Sequence, residues 1–440
     1  MGVHNLPAPR VPLSSRGYIA RMDAGLTSVR GAQEIISMIS SRRFVTKLIL
    51  GHNELADDGC IVLFKFLTSS LGRKYQIAEI SLNSNIIGNR GLLAISEYLQ
   101  GNLVLKELFL QNNRFTGDAE TFASFTTALN SSRLEVLSLK TNRNLSDPFL
   151  KVFLPFLDAP HLREVHLSAI GLTSRSAPHL VAYLSSPRCR LHTLKCDGNT
   201  LGFRTVKFIV RAIERHNFSL LTVELYSNHL VGSVSSDNTS EDDDEDGGPA
   251  SLDAWKATDA QIRRVLLRNA HLKRETEREA LQLLRYARPL LLARSAQPSS
   301  ACADSCSCIE STGSTTPEHP HAVFAFRHLP TELQLYIISS LAPTLSPAQR
   351  IRIYNYASSP TTLPRVGLCL PGSSTRALCV LDPASMPFGK ASVGCAEGKC
   401  AGSVNSVVCH REQQRAEWLA EAGCSAYDPH REPEEDAVGA

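Results

Sequence analysis

The sequence predicts an α/β fold: a solenoid in which one parallel sheet is laid down a strand at a time, with a helix after each strand. A largely disordered C-terminal tail is expected to follow it. Three observations predict this. An eleven-residue pattern returns eight times at a near-constant period. The apolar positions inside it suit a short strand, and those after it suit a helix. Composition changes near Gln297-Pro298: residues 1–296 hold 36 Lys/Arg against 29 Asp/Glu, residues 297–440 hold 10 against 14, and nine of the 12 Cys lie after residue 300.

The repeated stretches are VTKLILGHNEL from Val45, IAEISLNSNII from Ile77, LKELFLQNNRF from Leu105 and LEVLSLKTNRN from Leu134. They continue as LREVHLSAIGL from Leu162, LHTLKCDGNTL from Leu191, LLTVELYSNHL from Leu220 and IRRVLLRNAHL from Ile262. Their starts are 32, 28, 29, 28, 29, 29 and 42 residues apart, the self-similarity of a stacked repeat. RGYIARMDAGL at 16–26 lies 29 residues before the first and is expected to cap the array.

Each stretch reads LxxLxLxxNxL. Apolar first, fourth and sixth positions predict a strand that buries alternate side chains. The ninth position is Asn53, Asn85, Asn113, Asn142, Asn199 or Asn228. A buried amide there donates and accepts at once, so stacked units should form a column that satisfies turn backbone groups. Ile170 and Ala270 replace it in two units. A local distortion of the column is expected at the first and a C-terminal cap at the second. Four-residue apolar steps then predict helices: Leu55, Gly59, Leu63 and Leu67; Ile87, Gly91, Ile95 and Leu99; Leu272, Thr276, Ala280 and Leu284 in the last unit.

The 42-residue spacing exceeds a normal period by 13, the length of DNTSEDDDEDGGP at 237–249. Its run Glu241, Asp242, Asp243, Asp244, Glu245 and Asp246 repels itself, which predicts a disordered acidic loop, regulatory if Ser240 is phosphorylated. The expected organisation is therefore a flexible N-terminus at 1–15, the solenoid at 16–294, a linker rich in Pro, Ser and Thr at 295–321, an amphipathic helical segment at 322–358 and a mostly disordered tail at 359–440. In the helical segment Thr331 is expected to cap a helix from near Glu332, with Leu333, Ile337 and Leu341 on one face and Pro343 and Pro347 breaking it.

Function classes narrow by exclusion. No apolar run approaches the ~20 residues of a membrane span. The N-terminus lacks a secretory apolar core, and Leu6 stands where myristoylation wants Ser or Thr. A monomeric, intracellular protein of the cytoplasm or nucleus is expected, without membrane, nucleic-acid or small-molecule ligands. Motifs for nucleotide, hydrolase, metalloprotease or calcium chemistry are missing, so no enzyme and no cofactor is expected. Glu164, His166 and Ser168 alternate along one strand, but no oxyanion geometry accompanies them. Neither Cys302, Cys306 and Cys308 nor Cys395, Cys400, Cys409 and His410 have zinc-knuckle spacing, so no metal is expected. What remains is a protein-binding face on the outward strand positions, which are the third, fifth and seventh. The candidates are Phe109, Gln111, Lys140, His166, Lys195, Asp197, Glu224, Tyr226 and Arg268, a mixture of aromatic anchors and charges suited to a protein partner.

The LxxLxLxxNxL pattern over residues 16–294 resembles the ribonuclease-inhibitor type of leucine-rich repeat. That resemblance implies a horseshoe with strands concave and helices convex. Three Cys in the repeats, and Trp255 beside the insertion, do not match the Cys-rich, Trp-lined inhibitors themselves. A repeat of this type with an acidic run is also similar to Ran GTPase-activating proteins, which implies, as an alternative, activation of a Ran-like small GTPase; no catalytic residue transfers. In the tail, Leu329, Pro330, Glu332, Ile337 and Leu341 resemble the first half of an F-box. That implies, as a further alternative, a substrate adaptor of a cullin ubiquitin ligase.

Overall fold

The computed structural model describes residues 17–230, 252–295, 326, 329–363 and 410–429. The chain divides into two compact units, Met1–Ala270 and His271–Ala440.

The first unit is α/β, with an open parallel sheet flanked by helices. Its strands are β1 (Tyr18–Ala20), β2 (Lys47–Ile49), β3 (Glu79–Ser81), β4 (Glu107–Phe109), β5 (Val136–Ser138), β6 (Glu164–His166), β7 (Thr193–Lys195) and β8 (Thr222–Glu224). They lie side by side in sequence order, all parallel. Each three-residue strand continues as backbone bonds to the next unit. Leu110 and Asn112 donate to Ser138 and Lys140, for example, and Leu139 and Thr141 donate to His166 and Ser168. The degenerate stretch at 16–26 supplies β1, and the first seven stretches of the repeat supply β2 to β8.

Parallel neighbours need a crossover, and helices provide it. They are α1 (Ser28–Ser40), α2 (Ala56–Thr68), α3 (Asn89–Leu99), α4 (Ala119–Asn130), α5 (Ser146–Phe156), α6 (Ala177–Leu184) and α7 (Gly202–His216). Each buries one stripe; α7 turns Thr205, Val206, Ile209, Val210, Ala212 and Ile213 inward, the spacing of an amphipathic helix. Leu48, Ile80, Leu108, Leu137, Val165 and Leu194 meet these stripes at 0–3% exposure. Between α4 and α5 the core is aromatic, with Phe122–Phe149 centroids 4.6 Å apart and Phe149–Phe153 4.8 Å. The three cysteines of this unit are buried, and burial raises Cys189 to about 11 and Cys196 to about 12.

One expectation for this unit is corrected. IRRVLLRNAHL does not add a further strand; residues 262–272 lie inside the helix α8 (Leu252–Ser295). Ile262 and Val265 are buried, but Leu267, which a strand would bury at its sixth position, is 70% exposed. LxxL spacing satisfies a helix as well as a strand, and here the helix wins. The column lacks an amide at Ile170, while the sheet beside it is undisturbed: β5, β6 and β7 keep one register through Leu137, Val165 and Leu194. Ile170 is fully buried in the apolar core, so the missing amide costs hydrogen bonds and no packing.

The second unit gathers the rest of α8 with α9 (Thr331–Ser339), α10 (Pro347–Ser358) and α11 (His410–Glu421). Its core joins Leu281, Leu284 and Ala287 of α8 to Ile338, Leu345, Ile353, Trp418, Leu419 and Cys424. Within the segment beyond 359, α11 is a packed element. Its signal is one large side chain, Trp418, whose ring meets Tyr356 at 5.8 Å. Ser346 caps α10 in a reciprocal box with Gln349, and Gln349 Nε2 donates to the Gly423 carbonyl at 2.8 Å. Thr331 is the first residue of α9 rather than its cap. The face expected inward is exposed, with Leu333 at 49% and Ile337 at 41%, while Gln334 and Ile338 are buried. The Gln334 amide bonds the Leu329 carbonyl at 2.8 Å, so an interior polar position is satisfied where hydrophobicity alone predicted a surface.

Among the described residues no helix is long and apolar enough to cross a membrane. The acidic stretch Glu241–Asp246, with Ser240, lies outside the described residues. So do the linker from 296 to 321, residues 1–15, and the cysteines between 302 and 409.

Candidate functional site

The solvent-facing side of the sheet is built from the first and third residues of each strand and the position two further on. Pairing aligns the third residues as Ala20, Ile49, Ser81, Phe109, Ser138, His166, Lys195 and Glu224. Alternation along a strand sends these outward while the residue between them is buried.

Beneath this face runs the amide column. Asn199 is 2% exposed. Its Nδ2 donates to the carbonyls of Leu167 and Cys196, both at 2.9 Å. Its Oδ1 accepts from the backbone N–H of Ile170, Gly171 and Leu172, each at 3.1 Å. Each amide thus bonds its own unit and the one before. Asn53 bonds Leu50 and Arg21 carbonyls and accepts from Ala24 and Leu26. Asn113 bonds Leu82 and Leu110 and accepts from Asn85 and Ile87. Asn142 bonds Leu110 and Leu139 and accepts from Asn113. Asn228 bonds Cys196 and Leu225. Asn85 bonds the Leu50 carbonyl, while its Oδ1 meets no donor among the described residues.

The residue before each column position is left-handed: His52, Ser84, Asn112, Thr141, Ala169 and Ser227 have φ between 52° and 61°, and Gly198 has φ 69°. Non-glycine side chains rarely adopt this conformation. The column bonds hold the turn there, and the turn sets where the seventh-position side chains leave the sheet.

On the face itself the side chains brace one another. Gln111 Nε2 donates to Ser138 Oγ at 3.1 Å, and Ser168 Oγ to Asp197 Oδ1 at 2.6 Å. Lys195 pairs with Glu224 at 2.8 Å, and Tyr226 Oη donates to the same carboxylate at 3.0 Å. Burial alone would raise Glu224; the Lys195 and Tyr226 bonds outweigh it and hold the carboxyl below its ordinary range. The bond to Glu224 raises Lys195. Tyr226 remains 53% exposed. Lys140 forms no ion pair among the described residues.

A second cluster lies toward β2–β4: Lys47 pairs with Glu79, and Lys106 with Glu135 at 2.9 Å. Glu107 is pushed up by burial and then by the surrounding carboxylates Glu79, Glu135 and Glu164.

His166 sits between the clusters. Burial lowers its pKa, and Lys140 and Lys195 add to that against the opposing pull of Glu164. Its Nε2 lies 3.5 Å from Glu164 Oε2 and makes no hydrogen bond among the described residues. Because Ser168 points its hydroxyl at Asp197, the alternating Glu164, His166 and Ser168 do not form a nucleophile–base pair. Among the described residues no group of three or more His, Cys, Asp or Glu side chains is placed to hold a metal.

The structure brings Phe109, Gln111, Lys140, His166, Lys195, Asp197, Glu224 and Tyr226 onto this face; Arg268 is not among them. It lies on α8, its Nη1 donating to the Glu214 carbonyl at 2.6 Å and its guanidinium stacked 4.6 Å from the Phe218 ring centroid. The F-box-like residues lie in the second unit, where Pro330 and Glu332 are exposed and Leu329 and Leu341 half-buried.

Sequence reasoning missed a second set of tie points. Asp57 Oδ1 accepts from Gly88 and Gly91 N–H at 2.7 and 2.8 Å, anchoring the start of the next unit's helix. Asp147 does the same for Thr173, whose N–H donates at 2.8 Å and whose hydroxyl donates at 2.6 Å. Their spacing of four or five residues after the column Asn is the signal that would have found them. No protein-family model matches the chain, and no curated protein matches it.

Proposed function

We propose that the first unit is a leucine-rich-repeat solenoid of the ribonuclease-inhibitor type and that it works without catalysis, binding a partner protein on the solvent-facing side of its sheet. The observation that carries this reading is the bracing of the face. Gln111 with Ser138, Ser168 with Asp197, and Lys195 with Glu224 and Tyr226 are already held in place by their neighbours. A partner meeting such a surface orders few side chains, and each ordered side chain costs about 0.5–1.5 kcal/mol. Tyr226, exposed beside a charge-paired carboxylate, is an anchor with a polar tip. Lys140, which forms no ion pair among the described residues, and His166, whose pKa burial lowers, add an ammonium and an imidazole to the centre of the surface.

The test places a photo-crosslinking amino acid at Phe109 or Tyr226 in the full chain, with Leu93 on the helix side as the reference position. Discrete adducts from 109 and 226, and none of the same mass from 93, are expected. Equal adducts from all three positions, or none from the sheet positions, refute the assignment.

A further inference from the structure

We propose that the groove between α6 and α7, on the helix side of the first unit, binds an acidic peptide segment that carries apolar anchor residues. Ala177, Pro178 and Val181 of α6 and Phe208 and Ala212 of α7 line it, with Arg211, Arg215 and His216 around it; it is an open groove of about 500 Å³. That volume lies in the range of clefts that take small ligands or side chains.

The charge is arranged against the helix's own interest. Lys207, Arg211 and Arg215 follow one another at four-residue spacing, where like charges face each other and repel. None of them forms an ion pair among the described residues. The one acid of α7, Glu214, is engaged elsewhere, its carboxylate accepting from Gln261 Nε2 at 2.7 Å. Phe208, at the centre of the basic stripe, keeps 46% of its surface exposed. A cationic rim with no ion pair among the described residues, set around an apolar floor, is matched by carboxylates flanking large apolar side chains.

Other polyanions match only the rim. A nucleic-acid backbone would satisfy the arginines and leave the apolar floor wet, and a flat lipid surface does not reach into a concave floor. The chain's own EDDDED run at 241–246 contains no apolar residue, so it too lacks anchors for the floor.

The test selects peptides from a random library on the full-length chain, counter-selects on the full-length R211E/R215E variant, and measures the enriched peptides by fluorescence anisotropy. Far-UV circular dichroism first establishes that R211E/R215E and Phe208→Ala are folded; both alter exposed side chains. Enriched peptides are expected to place Asp or Glu beside Leu, Phe or Trp. Affinity is expected to fall about tenfold or more with R211E/R215E, with Phe208→Ala, and when the peptide's apolar anchors become Ala. Sheet-face changes at Phe109 and Tyr226 are expected to leave it unmoved, which separates this groove from the face described above. The proposal is overturned if no such peptides are enriched, if they bind R211E/R215E equally, or if anchor-free acidic peptides bind as well. It is overturned too if single-stranded RNA or phosphatidylserine vesicles bind through Arg211 and Arg215 and the peptides cannot displace them. Neutralising 241–246 to Asn and Gln is expected to change affinity less than threefold; a tenfold gain would assign the groove to the chain's own acids instead.

Discussion

Replacing Asn199 by Ala is the most direct perturbation of the column. The side chain is 2% exposed and serves five close backbone groups. The Cys196 carbonyl keeps a second partner in Asn228 Nδ2 at 3.0 Å, and Gly171 is half-buried, within reach of water. Three groups are then left unmet in the interior: the N–H of Ile170 and of Leu172, and the Leu167 carbonyl. At about 1–3 kcal/mol for each unmet buried group, with partial relaxation, the loss is about 3–5 kcal/mol. For a unit of this size that lowers the melting temperature by roughly 6–20 °C. Asn142 gives the internal comparison. Among the described residues its Oδ1 accepts only from Asn113, and the Leu110 carbonyl is shared with Asn113 Nδ2, so Asn142→Ala is expected to cost about 2 kcal/mol. Urea unfolding of the full chain followed by circular dichroism gives the magnitude. Hydrogen exchange gives the place, because repeat arrays lose stability locally, and the faster exchange should centre on 165–173. A loss below about 1 kcal/mol, or the reverse order of the two variants, would refute the accounting.

Two further outcomes follow from the same geometry. Burial works to raise Asp147, but hydrogen bonds from Ser176 and Thr173 overcome it and hold the carboxyl below its ordinary range. A depressed folded pKa gives stability that is fully present above the unfolded value of about 3.9 and is lost as pH falls through the folded value. Asp147→Asn should therefore melt below wild type at pH 6, by the equivalent of about 1 kcal/mol, and the two melting curves should converge toward pH 2; a gap that persists at pH 2 would contradict the sign. Trp418, 3% exposed, has no partner for its indole N–H among the described residues. Trp418→Phe should cost less than about 1.5 kcal/mol and Trp418→Ala about 3–5 kcal/mol, read as the shift in the urea midpoint of the second unit by hydrogen exchange; equal costs would show that the ring's volume is not what holds that core.

How much of this was legible depended on repetition. A single LxxLxLxxN is weak, but the strands at Leu48, Ile80, Leu108, Leu137, Val165 and Leu194 reinforce one another through a fixed period, and the outward positions follow by alternation. The left-handed turn was not legible. Of the residues that adopt it, Gly198 alone is a glycine, so no residue type marks the position; except at Ala169, which precedes Ile170, an amide stands one residue later. Asp57 and Asp147 act on the unit that follows theirs, a link that pattern matching within one unit does not display. In the second unit no repetition helps. Trp418 meets Tyr356 across 62 residues of sequence, and only the folded core pairs them. On α9 the sequence offers two apolar stripes, Leu333 with Ile337 and Leu335 with Ile338; the burial of Ile338 against α8 and α10 decides between them.

The failure at Ile262 shows what ends the array. Every column amide spends donors on its own unit and the one before, so the final unit has no successor to satisfy its exposed end, the general problem of a solenoid terminus. Another strand would only move that problem along. A helix solves it instead, because all its ladder bonds are internal. Residues 252–270 of α8 lay Ile262 and Val265 on the last apolar surface and send polar side chains to the carbonyls that remain. Asn269 Nδ2 donates to Leu220 at 2.9 Å and Asn217 at 3.2 Å, and Arg268 to Glu214 at 2.6 Å. Asn269 is fully buried and takes up, from a helix, the task the column amides perform from a turn. It stands one residue before the Ala270 that breaks the pattern, so the departure from the motif at 270 was the sequence's own sign that the strand register had already been abandoned.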